Sequence, residues 1–192
     1  LTWAEGSVLA EEVLAMAKKV KETVPFWLAV AITAVVPLPL ALYLGKFNFP
    51  LWCSFVVWAQ YFVYGSKPSA FKTIFPAFAG GVFWSTVGMV LTALLASALP
   101  FFPALVIGFG VAIAAMVYVM RWVPVFREGS LSYFNGVAMM LAVYFTQSYP
   151  ALTSSPVLMP IIAGIWAILV GWFGAILGWF NVTITFPKEV EE

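Results

Sequence analysis

Charged and apolar positions are sorted almost completely along this chain. Six long stretches, residues 26–44, 50–64, 73–98, 101–120, 131–148 and 156–180, hold no charged side chain. Most are about as long as the ~20 residues an α-helix needs to cross a hydrocarbon core. The pattern predicts an all-α membrane protein with six transmembrane helices. Pro37 and Pro39 fall inside the first stretch and predict a kink or broken turn there. Pro76 and Pro160 lie near the starts of the third and sixth.

Ahead of these stretches, Leu9, Val13, Met16, Val20 and Val24 recur at helical spacing, with Glu11, Glu12, Lys18, Lys19 and Glu22 on the remaining faces. Residues 3–23 therefore predict an amphipathic helix, lying on the headgroups or docking a partner. No apolar core of a secretory signal occurs in this segment. The chain divides into an amphipathic segment, 1–24, a six-helix domain, 25–181, and a polar tail, 182–192.

Basic residues orient the domain. With six crossings, one side receives Lys18, Lys19, Lys21, Lys67, Lys72, Arg121, Arg127 and Lys188, and the other only Lys46. Excess Lys and Arg mark the cytoplasmic side. Both termini are expected there, in a bacterial or archaeal inner membrane. Trp3, Trp27, Trp52, Trp122 and Trp179 lie near the ends of the helical stretches, as interfacial anchors do.

Sliding the chain on itself by 83 residues places Tyr61-Phe62 on Tyr144-Phe145, Gly81 on Gly164 and Val87-Gly88 on Val170-Gly171. The halves, about 26–98 and 101–180, would each hold three crossings. Three is odd, so the second half enters the membrane from the opposite side, which makes a 3+3 inverted repeat. Transporters built this way place their solute path between the repeats, and short segments at equivalent positions point to it. The second and fifth stretches are short and equivalent. Duplication for bundle stability alone is the plainer reading.

Composition then narrows the chemistry. The chain is 64% hydrophobic and 9% charged, with mean hydropathy +1.02, against roughly 25% charged in soluble domains. Net charge is +1, which gives no reason to expect nucleic acid. Histidine and aspartate are absent and Cys53 is the one cysteine. No metal or cofactor is expected, and an enzyme would lack the usual general bases. A proton-coupled carrier normally needs an intramembrane Asp, Glu or His. Passive passage of a neutral solute fits better.

The candidate pathway residues are polar or polar-tipped and lie within the stretches. Ser54, Trp58 and Tyr61 share one helical face, with Gln60 beside them. The Gln60 amide needs partners in hydrocarbon, so it should face the bundle interior or water. There it either bonds a neighbouring helix or orients a solute. Trp84 and Ser85, Asn135 and Tyr144 complete the set, and Gln147 lies near the end of the fifth stretch. Gly81, Ser85, Gly88 and Thr92 form a stripe on the third helix, and Gly164, Ile168, Gly171, Ala175 and Gly178 one on the sixth. Small residues let helix backbones approach closely. The third and sixth helices are expected to cross along these stripes, or to meet a neighbouring subunit. The alternative is that Ser85 and Thr92 offer hydroxyls to a solute.

Tyr61-Phe62, then Gly80-Gly81-Val82-Phe83-Trp84, Asn135-Gly136, Tyr144-Phe145, and Pro160 with Gly164 and Gly171 together resemble the YcdZ-like bacterial inner-membrane proteins over roughly 27–180. That resemblance implies a multi-span membrane protein of unknown function and assigns no chemistry to any residue. Two functions are expected from the whole: a passive channel or facilitator for a small neutral polar solute, or a substrate-binding or accessory subunit of a larger membrane complex. Beyond the lipid bilayer and a neutral solute, the partners would be further copies of the chain or the other subunits of such a complex.

Overall fold

A computed structural model describes residues 22–186. The amphipathic segment up to residue 21 and the tail beyond Phe186 lie outside the described residues. Within them the chain is helical: α1 (Phe26–Val35), α2 (Leu38–Tyr43), α3 (Leu51–Val63), α4 (Phe71–Leu95), α5 (Phe101–Met120), α6 (Pro124–Glu128), α7 (Ser130–Phe145) and α8 (Leu158–Thr185). Among the described residues no strand occurs. The α1–α2 segment, α4, α5 and α8 are long and apolar enough to cross a membrane. Helices α3 and α7 have 13 and 16 residues, about 20 and 24 Å at 1.5 Å per residue.

Local chemistry explains the boundaries. Glu22 accepts a hydrogen bond from Phe26 N–H at 3.2 Å and opens α1. The first stretch breaks at Val36-Pro37, as the prolines predict, and Pro39 sits in the first turn of α2, where its missing N–H costs nothing. Pro76 is carried inside α4, and the Trp172 indole of α8 donates to Phe75 O beside it at 3.2 Å. Two expected boundaries shift. The connector before the fifth stretch contains α6, started by Pro124 at its first position. Helix α8 continues five residues past 180, because Asn181 bonds Thr33 of α1 and the Thr185 hydroxyl bonds Asn181 O at 2.8 Å. Polar groups with partners do not end a helix.

Side-chain contacts fix the helix directions. Ser54 meets Val170 and Gly174, and Tyr61 meets Gly178, so α3 and α8 run parallel. Phe78 and Gly81 meet Gly136, and Thr92 and Tyr144 border one cavity, so α4 and α7 also run parallel. Phe78 meets Gly171 while Thr86 meets Gly164, so α4 and α8 are antiparallel. Helix α5 runs back along α4 with Phe109 and Ala112 at Gly88, and α1 runs back along α8 with Thr33 at Asn181. Thr23 N–H bonds Thr185 O at 2.9 Å, so the two described ends of the chain meet. Lys67, Lys72, Arg121, Arg127 and Glu128 are exposed at that same end. The opposite end holds the connectors near 44–50, 96–100 and 146–157.

Small residues make the close crossings, only in part with the partners expected. The glycines of α4 do not face α8: a Cβ on Gly81 would run into Tyr133 O of α7, and one on Gly88 into Phe109 of α5. On α8, Gly164 and Gly171 do meet α4, at Thr86 and Phe78, whereas Gly174 and Gly178 lie against Ser54, Trp58 and Tyr61 of α3. Between these crossings Val57, Ile74, Phe78, Val82, Met140, Val143 and Val170 fill the interior with essentially no exposure.

Gly136→Val would force the α4 and α7 backbones apart, since the added atoms meet Phe78 O; overpacking of this kind costs about 1–3 kcal/mol. Gly110 faces open space. Thermal unfolding in mild detergent should show a clear drop in Tm for Gly136→Val and no drop for Gly110→Ala.

Candidate functional site

Polar side chains in this bundle divide by whether their own helix can satisfy them. Ser85 Oγ bonds Gly81 O and Val82 O at 3.1 and 3.0 Å, and Thr92 Oγ1 bonds Gly88 O at 2.8 Å. Their hydroxyls are bound to the backbone of α4. Ser54 Oγ donates across the bundle to Val170 O at 2.9 Å and ties α3 to α8. These groups are settled by packing.

Helix α3 carries three of the buried groups that are not. Gln60 is 2% exposed, and its Oε1 accepts a hydrogen bond from Ser132 Oγ of α7 at 2.5 Å. Its Nε2 has no partner. The buried Tyr61 hydroxyl and Trp58 indole N–H also have none. One turn on, Tyr64 Oη accepts a hydrogen bond from Ser132 N–H at 3.3 Å. Ser132 lies in the first turn of α7, where backbone N–H groups have no helical acceptor. The C-terminal end of α3 and the N-terminal end of α7 therefore meet through Gln60, Tyr64 and Ser132, with three buried hydrogen-bonding groups unfilled close by on α3. An unpaired buried polar group costs about 1–3 kcal/mol.

The opposite ends of the same two helices are tied as well. Asn48, just before α3, donates from Nδ2 to Gln147 O and Tyr149 O just after α7, both at 3.3 Å. Asn48 and Gln147 hold left-handed backbones at φ 54°. A cavity of about 470 Å³ opens there, bordered by Asn48, Trp52, Thr146, Gln147 and Ser148. A second, of about 320 Å³, lies between Met89, Thr92, Phe101, Tyr144 and Pro156. Tyr144 stacks on Tyr149 at 6.2 Å between ring centres. Tyr149, in the connector, is buried, which pushes its hydroxyl above the usual phenol value, and it stays neutral through the physiological range.

The other candidates fall elsewhere. Trp84 packs with Tyr133, Ile113 and Phe126 in a separate cluster between α4, α5 and α7. Asn135 is half-buried beside Gly136 on α7. Gln60 and Tyr61 thus gather at the charged end, Tyr144 at the other, and Trp84 on a third side. Sequence reasoning missed Ser132, Tyr64 and the Asn181–Thr33 pair. Asn181 stood at the expected edge of the domain, and nothing in the spacing of Ser130 and Ser132 marks which hydroxyl faces Gln60. Thr86 Oγ1, buried without a partner, was not foreseen either, and the Trp166 indole N–H is likewise buried without a partner. Among the described residues no cluster of carboxylate, thiol or imidazole groups could hold a metal ion.

A bundle of long apolar helices with polar groups buried between them belongs to the multi-pass membrane class. The chain is a member of the family described as "Protein of unknown function (DUF1097)", whose profile matches residues 27–185. No curated protein and no solved structure shows significant similarity to it.

Ser132→Ala removes the partner of a buried amide oxygen and should lower stability by about 1–3 kcal/mol. Adding Gln60→Leu to that variant should restore part of the loss, because no amide is then left unpaired. A double-mutant cycle on Tm in detergent measures this; additive losses would mean that the two side chains do not interact.

Proposed function

We propose that this protein is a passive facilitator for a small neutral polar solute, built from six membrane crossings as a 3+3 inverted repeat. The observation that carries the reading is the buried, partly unpaired Gln60 amide at the joint between the halves. A group that costs stability when empty suits a place where a polar molecule passes.

Several features support the repeat. The packing of α3 of the first half on α8 of the second mirrors that of α7 of the second half on α4 of the first, both pairs parallel. Exchanging the halves by 83 residues carries the Asn48–Gln147 contact onto positions 131 and 64, next to the Ser132–Tyr64 contact. Both α3 and α7 close with the same paired turn bonds, Ser66 N–H to Tyr61 O with Gly65 N–H to Phe62 O, and Ser148 N–H to Val143 O with Gln147 N–H to Tyr144 O. The two short helices are thus fastened at both ends, and each fastening is a gate in this reading. The charged end is the cytoplasmic one by the basic-residue rule, with both termini there. The membrane in this reading is a bacterial or archaeal inner membrane, in keeping with the resemblance to YcdZ-like bacterial inner-membrane proteins.

A second reading is an accessory or solute-binding subunit of a larger membrane complex, with no transport of its own. The filled interior around Val57, Val82, Met140 and Val170 favours it. In the facilitator reading that same packing is the closed state, which opens when one fastening lets go.

Purified protein in liposomes should speed entry of a small neutral solute, with rates unchanged by membrane potential and flat from about pH 5 to 8, since the six apolar stretches hold no Asp, Glu, His or Arg. Cross-linking the Asn48→Cys, Gln147→Cys double variant should stop the flux, and reduction should restore it. Flux that follows a proton gradient, or a cross-linked protein as fast as the free one, would end the facilitator reading.

A further inference from the structure

We infer that the cleft beside Asn48 is a binding site for a small neutral molecule that donates hydrogen bonds from one side and is apolar on the other, of the alcohol or primary amide class. Its place as the outer mouth of a path rests on the facilitator reading. The binding chemistry stands on the cleft itself.

The cleft, of about 470 Å³, has two unlike walls. Phe49, Pro50 and Trp52, at the start of α3, make an apolar one, where Trp52 is 44% exposed. Residues 146–148, just after α7, make the other, which is polar. Its hydroxyl hydrogens are already spent. Thr146 Oγ1 donates to Ala142 O at 2.6 Å, so in its 2.8 Å contact with Ser148 Oγ it is Ser148 that donates. Both oxygens keep lone pairs. Asn48 commits its two amide hydrogens to Gln147 O and Tyr149 O, which leaves Oδ1 to accept. Among the lining side chains only the Gln147 amide and the Trp52 indole keep hydrogens. Lone pairs therefore outnumber free hydrogens around the cleft.

A molecule that only accepts, such as a ketone, cannot fill those lone pairs. An alcohol or a primary amide can, through its O–H or N–H. Water donates too, so the hydrogen bonds alone give a solute no advantage. The advantage comes from its carbon side, which covers Trp52 and Phe49 while its donors reach Ser148 and Asn48, and apolar surface leaves water. No lining residue is charged, so nothing in the lining pairs an ion. Phe49 also packs edge-on against Trp166 of α8, with 6.1 Å between ring centres. The Trp166 N–H is buried without a partner. In the facilitator reading, a solute that passes Phe49 meets that donor next.

Gly45 borders the cleft and a Cβ there meets open space, so Gly45→Cys places a thiol at its edge. Alkylation of the purified variant by N-ethylmaleimide is timed with acetamide, or with acetone, which has the same shape and no N–H. The rate of the wild type, whose one thiol is the buried Cys53, is subtracted. Acetamide at molar concentration should slow labelling severalfold, and acetone should not. Trp52→Ala and Ser148→Ala, each made with Gly45→Cys, should raise the half-protecting acetamide concentration by about two- to tenfold, the range of one lost contact or hydrogen bond. Entry of acetamide into liposomes holding the wild type is followed separately by light scattering.

Equal protection by acetone and acetamide would overturn the donor requirement and the inference with it. Protection unchanged in both variants would put acetamide outside the cleft and overturn it as well. No protection, with acetamide still entering faster than into protein-free liposomes, would overturn the site and leave the facilitator intact. Protection without entry would keep the site and remove transport. The absence of both would overturn the two readings together.

Discussion

In hydrocarbon, helices gain nothing by hiding apolar surface from one another, because lipid is as apolar as they are. What holds this bundle is close backbone approach at glycine. Gly174 lets the Ser54 backbone touch α8, and Gly81 and Gly136 let α4 and α7 meet main chain to main chain. Dispersion contacts and the Ser54–Val170 hydrogen bond work only at that range. The two parallel pairs, α3 with α8 and α4 with α7, are the units that this approach builds. The antiparallel crossing of α4 and α8 joins them through Phe78 and Thr86, set against Gly171 and Gly164.

The same solvent makes polar side chains legible as a group. Hydroxyls can bond the carbonyl one turn back on their own helix, as Thr33, Ser85, Thr92 and Thr185 do. An amide has two ends and needs a partner on another helix. Gln60 finds Ser132 for one end, and Asn181 finds Thr33 for one end, each leaving the other unpaired. Both are buried, but they differ in their surroundings. Asn181 holds α1 against α8 at the edge of the bundle. Gln60 joins α3 to α7, on a helix that carries two more unfilled donors. That concentration, rather than burial by itself, distinguishes a candidate site from a fastening.

The sequence pattern predicts the helices closely because bilayer thickness sets their length. The stretch 101–120 is helical over those same residues, and 73–98 became Phe71–Leu95. Packing partners were not legible to the same degree. Helices such as α4 and α5 are apolar all round, so periodicity does not say which face turns inward. The stripe of Gly81, Ser85, Gly88 and Thr92 pointed to close packing, yet it serves α5 and α7 instead of α8. Gln60 stood out because an amide in hydrocarbon is costly. Ser132 did not, because a hydroxyl can be satisfied locally and carries no comparable signal. Trp84 looked like a wall of the same path, and its separation from Gln60 follows from the rotation of α4, which the alternation of residues does not encode.

The lengths of α3 and α7 tie these points together. At about 20 and 24 Å they fall short of the ~30 Å hydrocarbon core. Non-helical backbone at such depth is tolerated only where protein or water surrounds it. The chain meets that demand with the Asn48 side chain on two connector carbonyls at one end, and with Tyr64 on the Ser132 N–H at the other. These are hydrogen bonds to backbone groups that would otherwise need water. Asn48 and Gln147 are exposed at a cleft, whereas Ser132 is buried, so only the second fastening is closed to water as it stands. In the facilitator reading, opening the Ser132–Tyr64 fastening would admit water at the charged end, and the Gln60 amide, already bonded to Ser132 there, would be the first buried group that the water, or a solute in its place, could satisfy.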